Sequence, residues 1–477
     1  MNSIFRKRAS KIIIQDWLWK NLSTVPESNT VLRKYRQYLQ SKSRHQSVQQ
    51  RVKELMFENR LVVLKKDQEL SFLIKNSSAD ELPYLSYLVY KAYDKKLLEA
   101  YKQRLEMLED ISNLSLKDVS IMCNTAFTSS LKVNNYILLE KISEKLRLGI
   151  EKNNLKMEYI PVVKFLRLSK YYDRDCLDLI HMKVNENCLY MSLTDLCHFV
   201  AWLVDSEYYI NPLSDEAIGL ITEKLDKLSE IESLRIKDVD RLLWILSFHD
   251  NVPRNIMEKL SLRICNEVRK EDLGVLLLGN MLLSLAILKF YNRKLLTILC
   301  NEGRFREIDN LGSNKSRMLS RLGLFLEATK IEGNFGQDLV RQIEQGSSIL
   351  KLKRIQEMDI SEELKFKKGL AKVYEVADSC SKKLGLRNAK LEIPIPYLNI
   401  SGVTFDLKTK KNLKVSIEVV DKHTWISRSV YKPGRLLSLK LRLLHHLGWK
   451  TILVSELEAR TSDEKIYNML KVRLNQL

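Results

Sequence analysis

The sequence predicts a mostly α-helical chain, an N-terminal helical-hairpin solenoid closed by a small C-terminal α/β domain. Three observations carry that expectation. Glycine (15) and proline (8) are scarce in 477 residues, as expected of long helices joined by short turns. Between residues 80 and 302, apolar side chains recur at the i, i+3, i+4, i+7 spacing of amphipathic helices. After Leu391 the apolar runs shorten and become strand-like. Hydrophobic residues make up 45%, enough for a large core and more than one folding unit.

The chain opens MNSIFRKRASKIII, with Arg6, Lys7, Arg8 and Lys11 ahead of the first acid, Asp16. A basic, acid-poor, amphipathic start of this kind predicts an organellar import segment over residues 1–27, mitochondrial or, alternatively, plastid. An ordinary basic helix start reads the same way. Residues 28–79 form a basic, helix-prone region.

Residues 80–302 read as a degenerate α-helical repeat array. Ser115-Leu116-Lys117-Asp118-Val119, Ser192-Leu193-Thr194-Asp195-Leu196 and Arg235-Ile236-Lys237-Asp238-Val239 each open a helix, and Met157 to Pro161 sits at an equivalent point. An acid near a helix start suits the positive end of the helix dipole. These starts, at 118, 160, 195 and 238, are 42, 35 and 43 residues apart, a spacing typical of stacked helix hairpins. In the clearest unit Val239, Leu242, Leu243, Ile245 and Leu246 line one helix, His249 to Pro253 makes the turn, and Ile256, Leu260, Ile264 and Val268 line the second. The alternative is an irregular helical bundle. One uncharged run, Leu273 to Leu288, spans 16 residues, short of the roughly 20 that cross a bilayer. It also carries Asn280 and Ser284, so a buried helix and no membrane span are expected. Seven scattered cysteines without a CxxC pair predict neither a disulfide framework nor a zinc site, and Cys197-His198 has no second pair at ligand spacing. No metal and no cofactor are expected.

Residues 303–390 read as a helical transition region and 391–477 as the α/β domain. LEIPIPYLNI holds two prolines, so it is an edge strand or a loop. Gly402 to Leu407 and Leu413 to Val420 read as strands joined by the turn KTKKN. A helix from Arg435 to Leu447 stops at Gly448, Trp449 to Val454 is the next strand, and a last helix follows Ser462, a plausible cap.

This hairpin, helix, strand, helix order resembles the RAP domain, a short module abundant in apicomplexan parasites that also closes the FAST-kinase-like mitochondrial RNA proteins. The matching residues are Phe405-Asp406, Ile417-Glu418-Val419 and the block LLSLKLRLLHHLGWK from Leu436 to Lys450. The resemblance covers only the C-terminal segment. It implies a restriction-endonuclease-like fold, RNA binding and an organellar setting, with a helical repeat array as the usual companion. A nuclease of that fold needs an acid on one strand, then an acid and a lysine two residues apart on the next, to hold Mg²⁺ and position water. Asp406 and Glu418 are the candidate catalytic remnants, but Val420 stands where the lysine belongs. The metal site is incomplete, and a non-catalytic protein is expected.

Charge is the other guide. The chain carries a formal +20, and residues 381–477 hold 19 Lys and Arg against 8 Asp and Glu, an excess that attracts polyanions. Lys408, Lys410, Lys411, Lys422, Arg428, Lys432, Arg435, Lys440, Arg442 and Lys450 are the candidate RNA-binding residues. Trp425 and Trp449 are either core residues or base-stacking platforms. His445 and His446 are adjacent on a helix and face different ways, which makes a shared metal site a poor prospect. The expected function is binding of organellar rRNA or mRNA in the mitochondrial matrix. The expected role is RNA processing or stability, or that of a mitochondrial ribosome subunit among mitoribosomal proteins. The competing readings are a metal-dependent endoribonuclease using Asp406 and Glu418, and a protein scaffold.

Overall fold

The computed structural model describes residues 71–72, 74–83, 85–86, 89, 95–206, 212–226, 234–249, 251–269, 274–300, 308–355, 368–407, 413–420, 425–427 and 430–477. The expected import segment 1–27 and nearly all of the basic region 28–79 lie outside the described residues. The protein is mostly helical, with a small mixed four-stranded sheet near its C-terminus. No helix among the described residues is long and apolar enough to cross a membrane. The chain divides into two compact units, Met1–Glu186 and Asn187–Leu477.

In the first unit α1 (Lys95–Glu106), α2 (Leu116–Thr128), α3 (Tyr136–Asn153) and α4 (Ile160–Leu168) precede α5 (Arg174–Asn187), which ends at the boundary. The sequence signals act where they stand. Ser115 accepts from the Asp118 amide at 3.2 Å while Asp118 accepts from the Ser115 amide at 3.3 Å, closing a capping box. Pro161 lies in the first turn of α4, where its missing N–H costs nothing. Asn135 caps α3, and its amide also donates to carbonyls at Glu106 and Leu108, tying the end of α1 to the start of α3. Val119 and Met122 of α2 share the core with Leu139 and Leu146 of α3 and Val163 and Leu166 of α4.

The second unit begins with α6 (Leu193–Asp205), α7 (Asp215–Asp226), α8 (Ile236–Leu246), α9 (Arg254–Arg269), α10 (Val275–Ile287), α11 (Arg293–Leu299), α12 (Lys315–Glu332) and α13 (Gln337–Ile355). Alternate helices pack on each other: α6 on α8, α8 on α10 and α10 on α12 in one row, α7 on α9, α9 on α11 and α11 on α13 in another. Ser192 caps α6 through the Asp195 amide at 3.1 Å. At the start of α8 the acid does more than face the dipole. Asp238 is fully buried and held at 2.7 Å by both Arg235 and Arg241. Gly279 leaves room for Met318 and Arg321 against α10. The expected transition region 303–390 is divided by the structure: α12 and α13 extend the rows, whereas α14 (Lys368–Ser379) packs on the sheet.

After α14 and the short α15 (Ser381–Leu384), β1 (Leu386–Glu392), β2 (Gly402–Leu407), β3 (Leu413–Val420) and β6 (Lys450–Ser455) form the sheet in the order β1-β2-β3-β6. The first three run antiparallel, and β3 pairs parallel with β6. Between those two lie the hairpin β4 (Trp425–Ser427) and β5 (Val430–Pro433) and helix α16 (Arg435–His446). The short α17 (Glu456–Ala459) and α18 (Asp463–Asn475) close the chain. Period-two burial directs Val403, Phe405, Val415, Ile417, Ile452 and Val454 into one core with α14 and α18. Gly448, at φ 78, ends α16 with the Trp449 amide on the Leu444 carbonyl at 2.9 Å, the left-handed stop that favours glycine. Ser462 takes the N-cap position of α18 but makes no side-chain cap bond, while Ser455 and Glu458 build a capping box on α17. The proline segment is a docking loop. Its Tyr397 packs on Gly323 of α12 and donates to the Ser347 carbonyl of α13 at 2.9 Å.

Candidate nucleic-acid interface

Three of the basic residues expected to meet RNA are spent inside the protein. Arg435 lies at the start of α16, its guanidinium 3.5 Å from the Trp244 ring centroid and 3.2 Å from that of Phe248. It also donates to the Trp244 carbonyl at 3.2 Å and to Ser247 Oγ at 2.5 Å. Seven residues on, Arg442 pairs with Glu332 at 2.6 Å and donates to the Ala286 and Ile287 carbonyls at 2.6 and 2.9 Å. These carbonyls belong to the last turns of α8 and α10, where backbone oxygens lack helical partners and the dipole is negative. α16 therefore runs across the C-terminal ends of α8, α10 and α12 and neutralises them. Around Glu332, Tyr291 donates at 2.6 Å, and burial followed by this carboxylate pushes the phenol pKa upward. The expectation that Arg435 and Arg442 contact phosphate is corrected by these partners.

Lys440 is corrected in the same way. It is fully buried and forms an ion pair at 2.5 Å with Glu418, itself 1% exposed. Ser416 donates to the other Glu418 oxygen at 2.7 Å, and a Cβ at Gly402 would strike this group. The lysine missing two residues after Glu418 is thus replaced in space by one from α16, but in a closed pair rather than an open metal site. Nor do the two carboxylates meet. Asp406 lies opposite Lys414, whereas Glu418 lies one step beyond the Val403–Ile417 pair. Four residues of strand, roughly 13 Å at 3.3 Å each, separate them. Asp406 is flanked in register by Arg387 and Lys414 and accepts from Asn388 at 3.2 Å, an ordinary cross-strand charge arrangement. Among the described residues no three His, Cys, Asp or Glu side chains group as metal ligands.

The register does assemble a basic surface, at the end of the sheet where β1, β3 and β6 begin and β2 ends. Exposed Lys382 and Lys383 stand just before β1, exposed Arg387 on it, exposed Lys414 at the start of β3 and exposed Lys450 at the start of β6. Half-buried Trp449 immediately precedes Lys450, with Lys414 Nζ 5.5 Å from its ring centroid, a cation–π distance. Asp406 is the one acid on these strand ends among the described residues. Lys382, Lys383, Arg387 and Lys414 were not singled out by the linear charge pattern. What identifies them is strand pairing, since Arg387 and Lys414 are 27 positions apart in sequence yet both flank Asp406. A row of cations along one sheet end, with a partly open indole at its β6 side, fits phosphates and an unstacked base.

Lys408, Lys410, Lys411, Lys422 and Arg428 lie outside the described residues, as do the side chains of Lys432 and Trp425. His445 and His446 are exposed, and His446 Nε2 lies 3.5 Å from Glu332. Cys197 and His198 are buried within α6. No protein-family model matches this chain, and no curated protein matches it.

Proposed function

We propose that the protein binds single-stranded segments of organellar RNA, rRNA or mRNA, with the basic end of the C-terminal sheet as its principal contact. The observation that carries this reading is the row of exposed Lys382, Lys383, Arg387, Lys414 and Lys450 at one end of the sheet, with Lys414 against the half-buried Trp449 and Asp406 the one acid on those strand ends among the described residues. In this reading the C-terminal domain is a RAP domain of restriction-endonuclease-like descent. The two helix rows are an α-solenoid that extends the RNA path, and the setting is the mitochondrial matrix. Binding without cleavage is favoured because Glu418 is closed off by Lys440 and Asp406 lies at the far end of the strand pair. Both an RNA-processing factor and a mitochondrial ribosome subunit use this chemistry.

The test is binding of the purified chain to short single-stranded RNA across a salt series. Replacing Lys414 and Lys450 by glutamine should weaken binding to all sequences alike and lower the slope of log affinity against log salt by about 0.7 for each phosphate no longer neutralised. Unchanged affinity and slope would remove the sheet end from the interface. RNA crosslinked to the protein in its native cells, read beside its sedimentation, then separates a ribosomal subunit from a processing factor.

A further inference from the structure

The strand β6, Lys450-Thr451-Ile452-Leu453-Val454-Ser455, is a β-prone run without glycine or proline. It is an edge of the sheet, paired with β3 alone among the described residues, in one unbroken parallel register from Lys450 to Ser455. The opposite edge, β1, is blunted. Its pairing shifts between Arg387 and Lys390, Asn388 turns to φ 53, and Lys390 is exposed, devices that discourage a further strand. β6 has no such irregularity. Backbone groups leave a strand on alternate sides, and two hydrogen bonds show which side of β6 faces outward. The Leu453 carbonyl accepts from Arg473 Nη1 at 2.5 Å, and the Ser455 amide donates to Glu458 at 2.8 Å. Thr451, Leu453 and Ser455 therefore turn their backbone groups away from β3. The Thr451 N–H and C=O and the Leu453 N–H have no partner among the described residues. Three exposed apolar side chains border them, Leu453 at 38%, Leu457 of α17 at 66% and Val472 of α18 at 58%, next to the Arg473–Glu458 pair.

We propose that β6 is a dimer seam, where β6 of a second copy of this chain adds antiparallel and joins the two sheets into one. The open hydrogen-bonding groups select both partner and register. Each copy offers them on the same two residues, and a two-fold axis at Ile452 sets Thr451 of each copy opposite Leu453 of the other. Both pairs then exchange N–H and C=O. Arg473 swings clear of the Leu453 carbonyl and keeps Glu458 through Nη2, at 2.6 Å. The charges agree with this order. Lys450 of each copy comes diagonal to Glu456 of the other, within reach for long side chains, and Glu456 otherwise pairs with the exposed Arg460. A parallel partner would instead bring like ends together. Leu453, opposite Glu418 in register, lies on the α16 face, and Val472 rides on α18 over the other face, so apolar surface leaves water on both sides of the seam. The two basic sheet ends then point in opposite directions. This assembly does not depend on RNA.

Sedimentation equilibrium of the whole chain without RNA should show a reversible monomer–dimer equilibrium at about 1–100 μM, the weak end expected of a small seam. Thr451→Pro removes an outward N–H and spares the β3 ladder, and Leu453→Lys puts a charge on the edge. Each should weaken dimerisation by at least about tenfold, with the circular dichroism and melting temperature of dilute wild-type protein. The register has its own readout. Thr451→Cys mixed with Leu453→Cys should form an intermolecular disulfide, because opposed residues lie about 5.5 Å apart at Cα, whereas either variant alone should not. A monomer throughout the concentration range would overturn the proposal. So would a dimer that persists in both edge variants, or a disulfide formed as readily by one cysteine variant alone as by the mixture. Should Thr451→Pro and Leu453→Lys lower the melting temperature of the monomer, the mixed disulfide decides, and its absence removes the seam.

Discussion

Replacing Lys440 by methionine is the sharpest test of how α16 is held. Lys440 is 0% exposed and Glu418 1%, with 2.5 Å between nitrogen and oxygen. Methionine fills much of the lysine volume, so the variant isolates the charge. Glu418 then keeps the Ser416 hydroxyl, at 2.7 Å, but no longer has the ammonium beside it. Breaking one side of a buried pair typically costs about 3–5 kcal/mol, because the remaining ion has been taken out of water for nothing. At about 2–4 °C per kcal/mol for a domain of roughly 150–250 residues, the melting temperature should fall by about 10 °C. The companion Glu418→Leu/Lys440→Met, with neither charge left, should recover most of that loss, since well-packed apolar replacements of buried ion pairs are often neutral or stabilising. RNA affinity of whatever fraction is folded should be unchanged in both, because Lys440 meets no solvent. A loss under about 1 kcal/mol in the single variant, or a double variant no better than the single, would refute the buried-pair argument. A drop in RNA affinity at constant stability would restore Lys440 to the interface.

The remaining predictions concern the same unit. Arg442→Ala leaves Glu332, 5% exposed, without its guanidinium, and bares two helix-end carbonyls. It should cost about 2–4 kcal/mol and raise hydrogen exchange along α16 before the sheet core, whereas uniform exchange would contradict a local joint. Asp240 is raised by burial, against the Asn280 hydrogen bond and the pull of Arg241 and Arg321, from the ordinary 3.8 to about 6. The folded state therefore binds more protons than the unfolded state between those values. Stability from this group is fully present below about 4 and is lost as pH rises through 6. Asp240→Asn should flatten that part of the pH profile in urea melts and be the more stable protein at pH 7, and an unaltered slope would clear Asp240 of the effect.

Helix positions were largely legible in the sequence because their causes are local. Ser115, Ser192 and Pro161 mark helix starts by side-chain and ring chemistry that acts within one turn, and Gly448 marks a stop. The β2–β3 hairpin, α16 and β6 follow from period-two and period-3.6 patterning. Less legible was whatever depends on partners distant in sequence. β1 begins at Leu386, ahead of the proline segment, because its pairing with β2 tolerates the irregularity between Arg387 and Lys390. The proline segment becomes a loop because Tyr397 finds Gly323 and Ser347. Arg435, Lys440 and Arg442 read as solvent-facing cations because their partners, Trp244, Glu418 and Glu332, lie 191, 22 and 110 positions away. A basic helix therefore looks the same in sequence whether it faces phosphate or the negative ends of other helices.

That ambiguity also decides how the C-terminal charge should be weighed. Of the 8 acids among residues 381–477, Glu456, Glu458, Asp463 and Glu464 follow the end of β6, and Glu392 closes β1. Those are the strand ends opposite Lys450 and Arg387, and there Glu456, Glu458 and Asp463 pair with Arg460, Arg473 and Lys372, whereas the cations of the basic end meet only Asp406 among the described acids of the sheet. Five steps of β6 separate Lys450 from Ser455, roughly 17 Å, about two Debye lengths at physiological salt. At that distance the acids screen little of the field at the basic end, even though three of its expected contributors are buried or joined to the helix rows. The useful quantity for polyanion binding is thus the uncompensated charge at one end of the sheet rather than the net charge of the domain. Placing an acid at that end, as in Lys450→Glu, should weaken RNA binding more than Arg460→Glu beside Glu456, with the same change in total charge.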